Sequence, residues 1–159
     1  MNRTVRRVVS TIAAIIVLAG TLTTPAAAAT GKRIWNAGSG WCLKARTGST
    51  EVIAGSCDDT PHALWIFQKN GYGTNNYYLV NTSGAVNMCL EQDTGNYSTV
   101  VRISWCSGAR NQSWWVYFEN PANAIVSDYS GWYLEHATPS GRIGTNPYNG
   151  GSRQQWYNN

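Results

Sequence analysis

One pattern occurs three times along this chain, and that repetition limits the possible folds more than any other feature. Ile34-Trp35-Asn36-Ala37-Gly38-Ser39-Gly40-Trp41-Cys42-Leu43 is matched by Leu79-Val80-Asn81-Thr82-Ser83-Gly84, which reaches Met88-Cys89-Leu90 after a two-residue insertion. The third copy is Ile125-Val126-Ser127-Asp128-Tyr129-Ser130-Gly131-Trp132-Tyr133-Leu134. Each copy is an apolar pair, a polar turn with Gly and a short run ending in Leu, which reads as one strand turning into the next. Each repeat closes on a Trp: Trp65, Trp114 and Trp156 follow Leu43, Leu90 and Leu134 by 22, 24 and 22 residues. Gln112 and Gln154 stand two places before the last two of these, whereas Ala63 stands before the first. Between Leu and Trp lie Val52-Ile53-Ala54, Val100-Val101-Arg102-Ile103 and Arg142-Ile143-Gly144, each after a turn rich in Gly, Ser or Thr. Four short strands in each of three repeats of about 40 residues make twelve strands. That is too little chain for a propeller and suits a closed barrel capped by hairpins.

The segment ahead of the repeats is of another kind. Arg3, Arg6 and Arg7 precede an uncharged run from Val8 to Gly20, then Pro25 and Ala26 to Ala29. This is the pattern of a secretory leader over residues 1–29, with Ala27-Ala28-Ala29 placing cleavage before Thr30. The apolar run of 13 residues falls short of the roughly 20 needed to span a bilayer, so no membrane anchor is expected. The mature domain then occupies 32–159, with repeats at about 33–69, 77–118 and 124–157.

Removing the leader changes the electrostatics. The whole chain carries +4, but three of its twelve basic residues lie in the leader and all eight acidic ones follow it, so nine minus eight leaves +1. No Lys/Arg cluster remains to follow a phosphate backbone, and nucleic acid is not an expected partner. All eight Trp and nine Tyr fall in the mature part, charges are sparse, and no Leu/Ala/Glu/Lys stretch suggests a helix, so the domain reads as all-β.

Cys42, Cys57, Cys89 and Cys106 form an even set in an exported chain, and disulfides follow, with three possible connectivities. A zinc site would want paired short spacings. Gaps of 15 and 17 residues, with only His62 and His136 as further ligands, do not supply them, so no metal and no cofactor are expected.

The repeated Cys-Leu, the Val-rich strand, the second Cys and the closing Gln-x-Trp resemble the ricin B-type lectin family over about residues 33 to 157. The resemblance implies a β-trefoil: a six-stranded barrel plus a cap of three hairpins, with pseudo-threefold symmetry and one sugar site per repeat. It also implies bridges within repeats, Cys42 to Cys57 and Cys89 to Cys106. In the third repeat Tyr133 and Tyr148 stand in place of both cysteines, and joint loss is what a within-repeat bridge predicts.

The family's sugar ligands are an Asp directly after Cys-Leu, an aromatic two residues before the second Cys, and an Asn beside the closing Gln. Such a set suits a sugar, which offers hydroxyls in fixed directions and one apolar C–H face. Carried over, the first repeat supplies Lys44, Gly55, His62 and Ala63, neither acceptor nor ring. The second supplies Glu91, Ser104, Asn111 and Gln112, with Trp105 one place off. The third supplies Glu135, Asn146, Arg153 and Gln154. Its closing stretch Thr145-Asn146-Pro147-Tyr148-Asn149-Gly150-Gly151 also resembles small mannose-binding trefoil lectins of actinomycetes, which adds Asn149. The expected carbohydrate-binding residues are thus Glu91, Asn111, Gln112, Glu135, Asn149 and Gln154. Alternation makes Glu91 and Glu135 face outward, and gives Trp41, Trp105 and Trp132 exposed rings, while Trp65, Trp114 and Trp156 join the core and the two Gln orient the closing hairpins.

A secreted, monomeric, non-catalytic lectin-like module binding a polysaccharide or glycan weakly through its second and third repeats is the expectation. An interaction protein on the same scaffold, such as a protease inhibitor, is the alternative. For an enzyme, the close acidic couples Asp58-Asp59 and Glu91 with Asp93 sit in no motif that enforces a hydrolase geometry, and there is no Gly-x-Ser-x-Gly elbow.

Overall fold

A computed structural model of the chain describes residues 30–84, 87–95, 99–118, 123–137 and 141–159; the leader expected over residues 1–29 lies outside them. Twelve strands occur among the described residues: β1 Lys32–Asn36, β2 Cys42–Ala45, β3 Val52–Gly55, β4 Leu64–Lys69, β5 Asn76–Asn81, β6 Met88–Gln92, β7 Val101–Trp105, β8 Ser113–Tyr117, β9 Ala124–Ser127, β10 Tyr133–Ala137, β11 Arg142–Asn146 and β12 Trp156–Asn158. Short 3-10 turns at Pro61–Ala63, Arg110–Gln112 and Ser152–Gln154 precede β4, β8 and β12.

The fold is a β-trefoil. β1, β4, β5, β8, β9 and β12 form the barrel through antiparallel pairs such as Trp35↔Tyr157, Arg33↔Leu64, Ile66↔Val80, Tyr77↔Trp114 and Val116↔Ile125. The barrel is not perfect: β9 and β12 share no ladder, and they are joined where Trp156 N donates to Asn123 O at 2.6 Å. The hairpins β2–β3, β6–β7 and β10–β11 make the cap. They interlock around the pseudo-threefold axis through three equivalent bridges, Glu51↔Arg102, Val100↔Gly144 and Arg142↔Ile53.

The Leu-to-Trp spacing of the repeat has a physical cause. Leu43, Leu90 and Leu134 are fully buried at matching places in the cap, and Trp65, Trp114 and Trp156 are fully buried in the barrel. Each indole Nε1 donates to the backbone carbonyl of its own repeat's Leu, at 2.8, 2.9 and 2.9 Å. A Trp in such a place buries about 150–250 Å², worth about 4–6 kcal/mol at the usual transfer coefficient, and the bond satisfies its N–H in a dry core. One residue type therefore fills the barrel and fastens the cap to it.

Turns link successive repeats. Asn36 Oδ1 accepts from Gly38 N, and its amide nitrogen donates to Arg153 O and Gln155 O. Asn81 does the same for Ser83 N, His62 O and Leu64 O. The bridges are Cys42–Cys57 and Cys89–Cys106, as the resemblance implies.

Candidate functional site

In each cap hairpin the residue after the core Leu faces a different cross-strand neighbour: Lys44 faces Ile53, Glu91 faces Arg102 and Glu135 faces Gly144. Those three neighbours decide what each repeat can do.

In the second repeat the expectation of an outward carboxylate fails. Glu91 is 7% exposed. Its Oε1 accepts from Arg102 Nε and Nη2, both at 2.9 Å, and its Oε2 accepts from Gln112 Nε2 at 2.8 Å. Strand alternation turns Glu91 away from the core, but the 3-10 turn Arg110–Gln112 folds over that face and the cross-strand guanidinium neutralises the charge it covers. Asn111 donates its amide to Gln92 O at 3.0 Å. All three expected residues of this repeat therefore serve the protein's own hydrogen bonds.

The third repeat differs because Gly144 stands where Arg102 does. A Cβ at Gly144 would lie 2.8 Å from the carbonyl oxygen of Thr99, which accepts from Thr145 N at 2.8 Å. Close approach of that backbone leaves no room for a side chain across from Glu135. Glu135 Oε2 accepts from Gln154 Nε2 at 2.8 Å and from Asn149 Nδ2 at 3.1 Å. No cation pairs with it, and its Oε1 has no protein partner among the described residues. The structure thus brings together Glu135, Asn149 and Gln154, three residues expected from sequence.

Gln154 also positions the loop that carries Asn149. Its Nε2 donates to Pro147 O and its Oε1 accepts from Asn149 N, at 2.8 and 2.9 Å. Gln112 makes the same pair with Trp105 O and Ser107 N, at 2.6 and 2.8 Å. Both glutamines are buried, so the orienting role expected for them is observed. Asn149 Oδ1 accepts from Gly151 N at 2.8 Å, and Gly150 takes a left-handed φ of +71° that favours glycine.

A ring that the sequence comparison did not assign flanks this set. Tyr133 and Tyr148 occupy the places of the missing cystine and pack with centroids 4.8 Å apart, tilted by 40°. Tyr148 is 63% exposed, and Asn149 follows it directly. Their paired substitution was visible in the sequence, though as a lost bridge and not as a platform. Asn146 and Arg153 make no side-chain hydrogen bond to this set.

The first repeat is arranged differently. Lys44 Nζ reaches Asp58 Oδ2 at 2.7 Å, and Asp58 also accepts from Ser56 Oγ and Thr60. Lys44, with these two hydroxyl-bearing neighbours, holds the Asp58 carboxyl well below the usual carboxylate range. Lys44 and the buried Ala63 provide no acceptor there.

Of the tryptophans expected outside the core, Trp41 and Trp105 are exposed and Trp132 is only partly so. Trp41 stacks on His136 at 6.0 Å. His136 is buried with neither ring nitrogen hydrogen-bonded among the described residues. Burial, with Arg153 nearby, lowers its affinity for a proton.

Among the acidic couples, Asp58 and Asp59 pair separately with Lys44 and Arg33, while Glu91 and Asp93 face the same Arg102. No group of three His, Cys, Asp or Glu among the described residues is placed to hold a metal ion. No described helix is long and apolar enough to cross a membrane.

No family model and no curated sequence matches the chain. Solved structures do. A designed threefold-symmetric protein, ThreeFoil, superposes with a TM-score of 0.69 at 25% identity over 80% of this chain and 96% of its own. The hemolytic lectin CEL-III matches with a TM-score of 0.63 at 25% identity, over 80% of this chain and 29% of its own. A Polyporus squamosus lectin, bound to a sialylated influenza-binding epitope, has a TM-score of 0.66 at 19% identity over 81% of this chain and 48% of its own. The chain thus spans less than half of either lectin. Trefoil lectins are among its structural neighbours, and they share its fold.

Proposed function

We propose that this is a secreted, non-catalytic, monomeric carbohydrate-binding protein whose working site is in the third repeat. The observation that carries the reading is the state of Glu135: a partly exposed carboxylate, held by two side-chain amides, with one oxygen uncommitted and no ion pair among the described residues. A carboxylate so placed accepts hydrogen bonds from neighbouring hydroxyls of a sugar ring. Asn149 offers a polar group on the same loop, and Tyr148 offers a face for the C–H side of the ring. The likeness to trefoil lectins supports sugar binding in general. A non-catalytic role agrees with acidic couples that are each spent on ion pairs, and export agrees with two disulfides behind a leader-like segment.

Glu91 needs its charge for Arg102 and Gln112, so the second repeat contributes little. Open to solvent and built from one carboxylate and one stacked ring, the third site binds a monosaccharide near millimolar Kd, about −4 kcal/mol. Retention of the mature protein on immobilised polysaccharides, run with Glu135→Ala, Asn149→Ala and Tyr148→Ala, tests the proposal. Each substitution is expected to release the protein, with thermal unfolding close to that of the parent for Glu135→Ala and Asn149→Ala and somewhat lowered for Tyr148→Ala, which loses its packing on Tyr133. Retention unchanged in Glu135→Ala overturns it and favours an interaction protein on the same scaffold.

A further inference from the structure

The three cap hairpins meet at a second concavity, lined by residues other than Glu135, Asn149 and Gln154. A cavity of about 270 Å³ lies there, lined by Val52, Val101 and Ile143 with Val100, Ala137, Thr99, Gly144 and the polar residues Glu51, Arg142 and Asn146. Its position follows from the register. Val52, Val101 and Ile143 are equivalent residues of β3, β7 and β11, opposite Ala45, Gln92 and His136, and all three are buried. One step earlier stand Glu51, Val100 and Arg142, the three residues whose bridges close the cap.

These three equivalent residues break the symmetry chemically. Glu51 is spoken for, since its Oε2 meets Arg46 Nη1 at 2.9 Å. Val100 is 43% exposed, a β-branched apolar side chain open to solvent in the wall. Arg142 is exposed and has no ion pair or side-chain hydrogen bond among the described residues, and the same holds for the Asn146 amide. Arg142 and Asn146 share one face of β11 with Gly144 between them, as the period of two requires. Valine and isoleucine walls with one uncommitted guanidinium and one uncommitted amide match a ligand with an apolar body and a single carboxylate. The volume, just under the usual range for drug-sized ligands, limits that body to a small ring or branched chain.

We propose that the cap cavity is a binding site for small apolar monocarboxylates, with Arg142 as the anion-binding residue and Val100, Val101 and Ile143 as the apolar contacts. It adjoins the sugar site without sharing its ligands: Gly144, across the hairpin from Glu135, and Asn146, across from Tyr133, line the cavity, but Glu135, Asn149 and Tyr148 do not.

The test uses the mature protein and phenylacetate, followed by amide chemical shifts, with uncharged phenylacetamide and plain acetate as comparisons. Saturable shifts at Val100, Val101 and Ile143 with phenylacetate are expected, at a Kd of about 1 mM. Phenylacetamide should bind at least about tenfold more weakly, and acetate should leave the apolar residues unshifted. Arg142→Gln is expected to weaken phenylacetate by about tenfold, and Arg142→Lys to restore most of it. Since Arg142 is exposed, both variants should fold, which near-ultraviolet circular dichroism checks. No saturable shift up to about 20 mM, well above that Kd, overturns the proposal. So do equal binding of phenylacetamide and affinity unchanged in Arg142→Gln.

Discussion

Glu91 and Glu135 are the same residue type at equivalent places, and their neighbours give them opposite uses. Arg102 neutralises one and Gly144 exposes the other. Glu91→Ala should therefore cost stability rather than binding: Gln112 Nε2 loses one of its acceptors and Arg102 the nearer of its two carboxylate partners, for about 1–2 kcal/mol by thermal or chemical unfolding. Gly144→Arg, which would copy the second repeat, should destabilise by more, because the added Cβ meets the Thr99 carbonyl at 2.8 Å. His136 belongs to the same scale. The fold disfavours its protonated form, so the unfolded chain takes up the proton first and stability falls as pH drops through the ordinary histidine value of about 6.5. His136→Gln, the residue that stands at Gln92 in the second repeat, should remove the pH dependence of Tm between about pH 7 and 5. Asp58 acts over a lower range: its folded-state value is depressed, so its contribution is present at neutral pH and is lost as pH falls below the ordinary carboxylate value.

Among the elements, the closing turns do most to unite cap and barrel. The Trp indoles span from barrel strand to cap carbonyl, and the adjoining Gln side chains hold the loops after β7 and β11. Trp156→Phe keeps a ring in the core but orphans the buried Leu134 carbonyl; a loss of about 2 kcal/mol in unfolding free energy is expected, with the third repeat's loop loosened. Ala63 in the first repeat cannot make the Gln contacts. There Lys44 and Asp58 supply a different polar link between β2 and the segment before the 3-10 turn.

At the scale of the molecule, the two bridges close loops with separations of 15 and 17 residues, and the third repeat replaces its bridge with the packed pair Tyr133 and Tyr148. Replacing Cys42 and Cys57 together by Ser should lower stability by roughly 3 kcal/mol, read as a drop in Tm under non-reducing conditions. Barrel closure between β9 and β12 rests on a short contact at Asn123, so local opening measured by hydrogen exchange should be fastest along that seam.

Period and spacing were enough to determine three repeats of short strands closing a hairpin-capped barrel, and the resemblance to the ricin B-type family made that barrel a trefoil. Leu and Trp recur at distances set by a bond each repeat makes within itself, so they were legible without coordinates; of the three possible cystine connectivities, the resemblance alone pointed to the one within repeats. Which carboxylate stays open was not legible. Alternation placed Glu91 and Glu135 alike, but their exposure depends on the residue across the hairpin and on a 3-10 turn folded over it, about 20 residues further along the chain. Gly144 is small because Thr99 from the neighbouring repeat presses on it, and the cap cavity exists because three repeats converge there. Contacts between repeats join residues distant in sequence, and no local pattern records their charge balance; only the tertiary structure decides it.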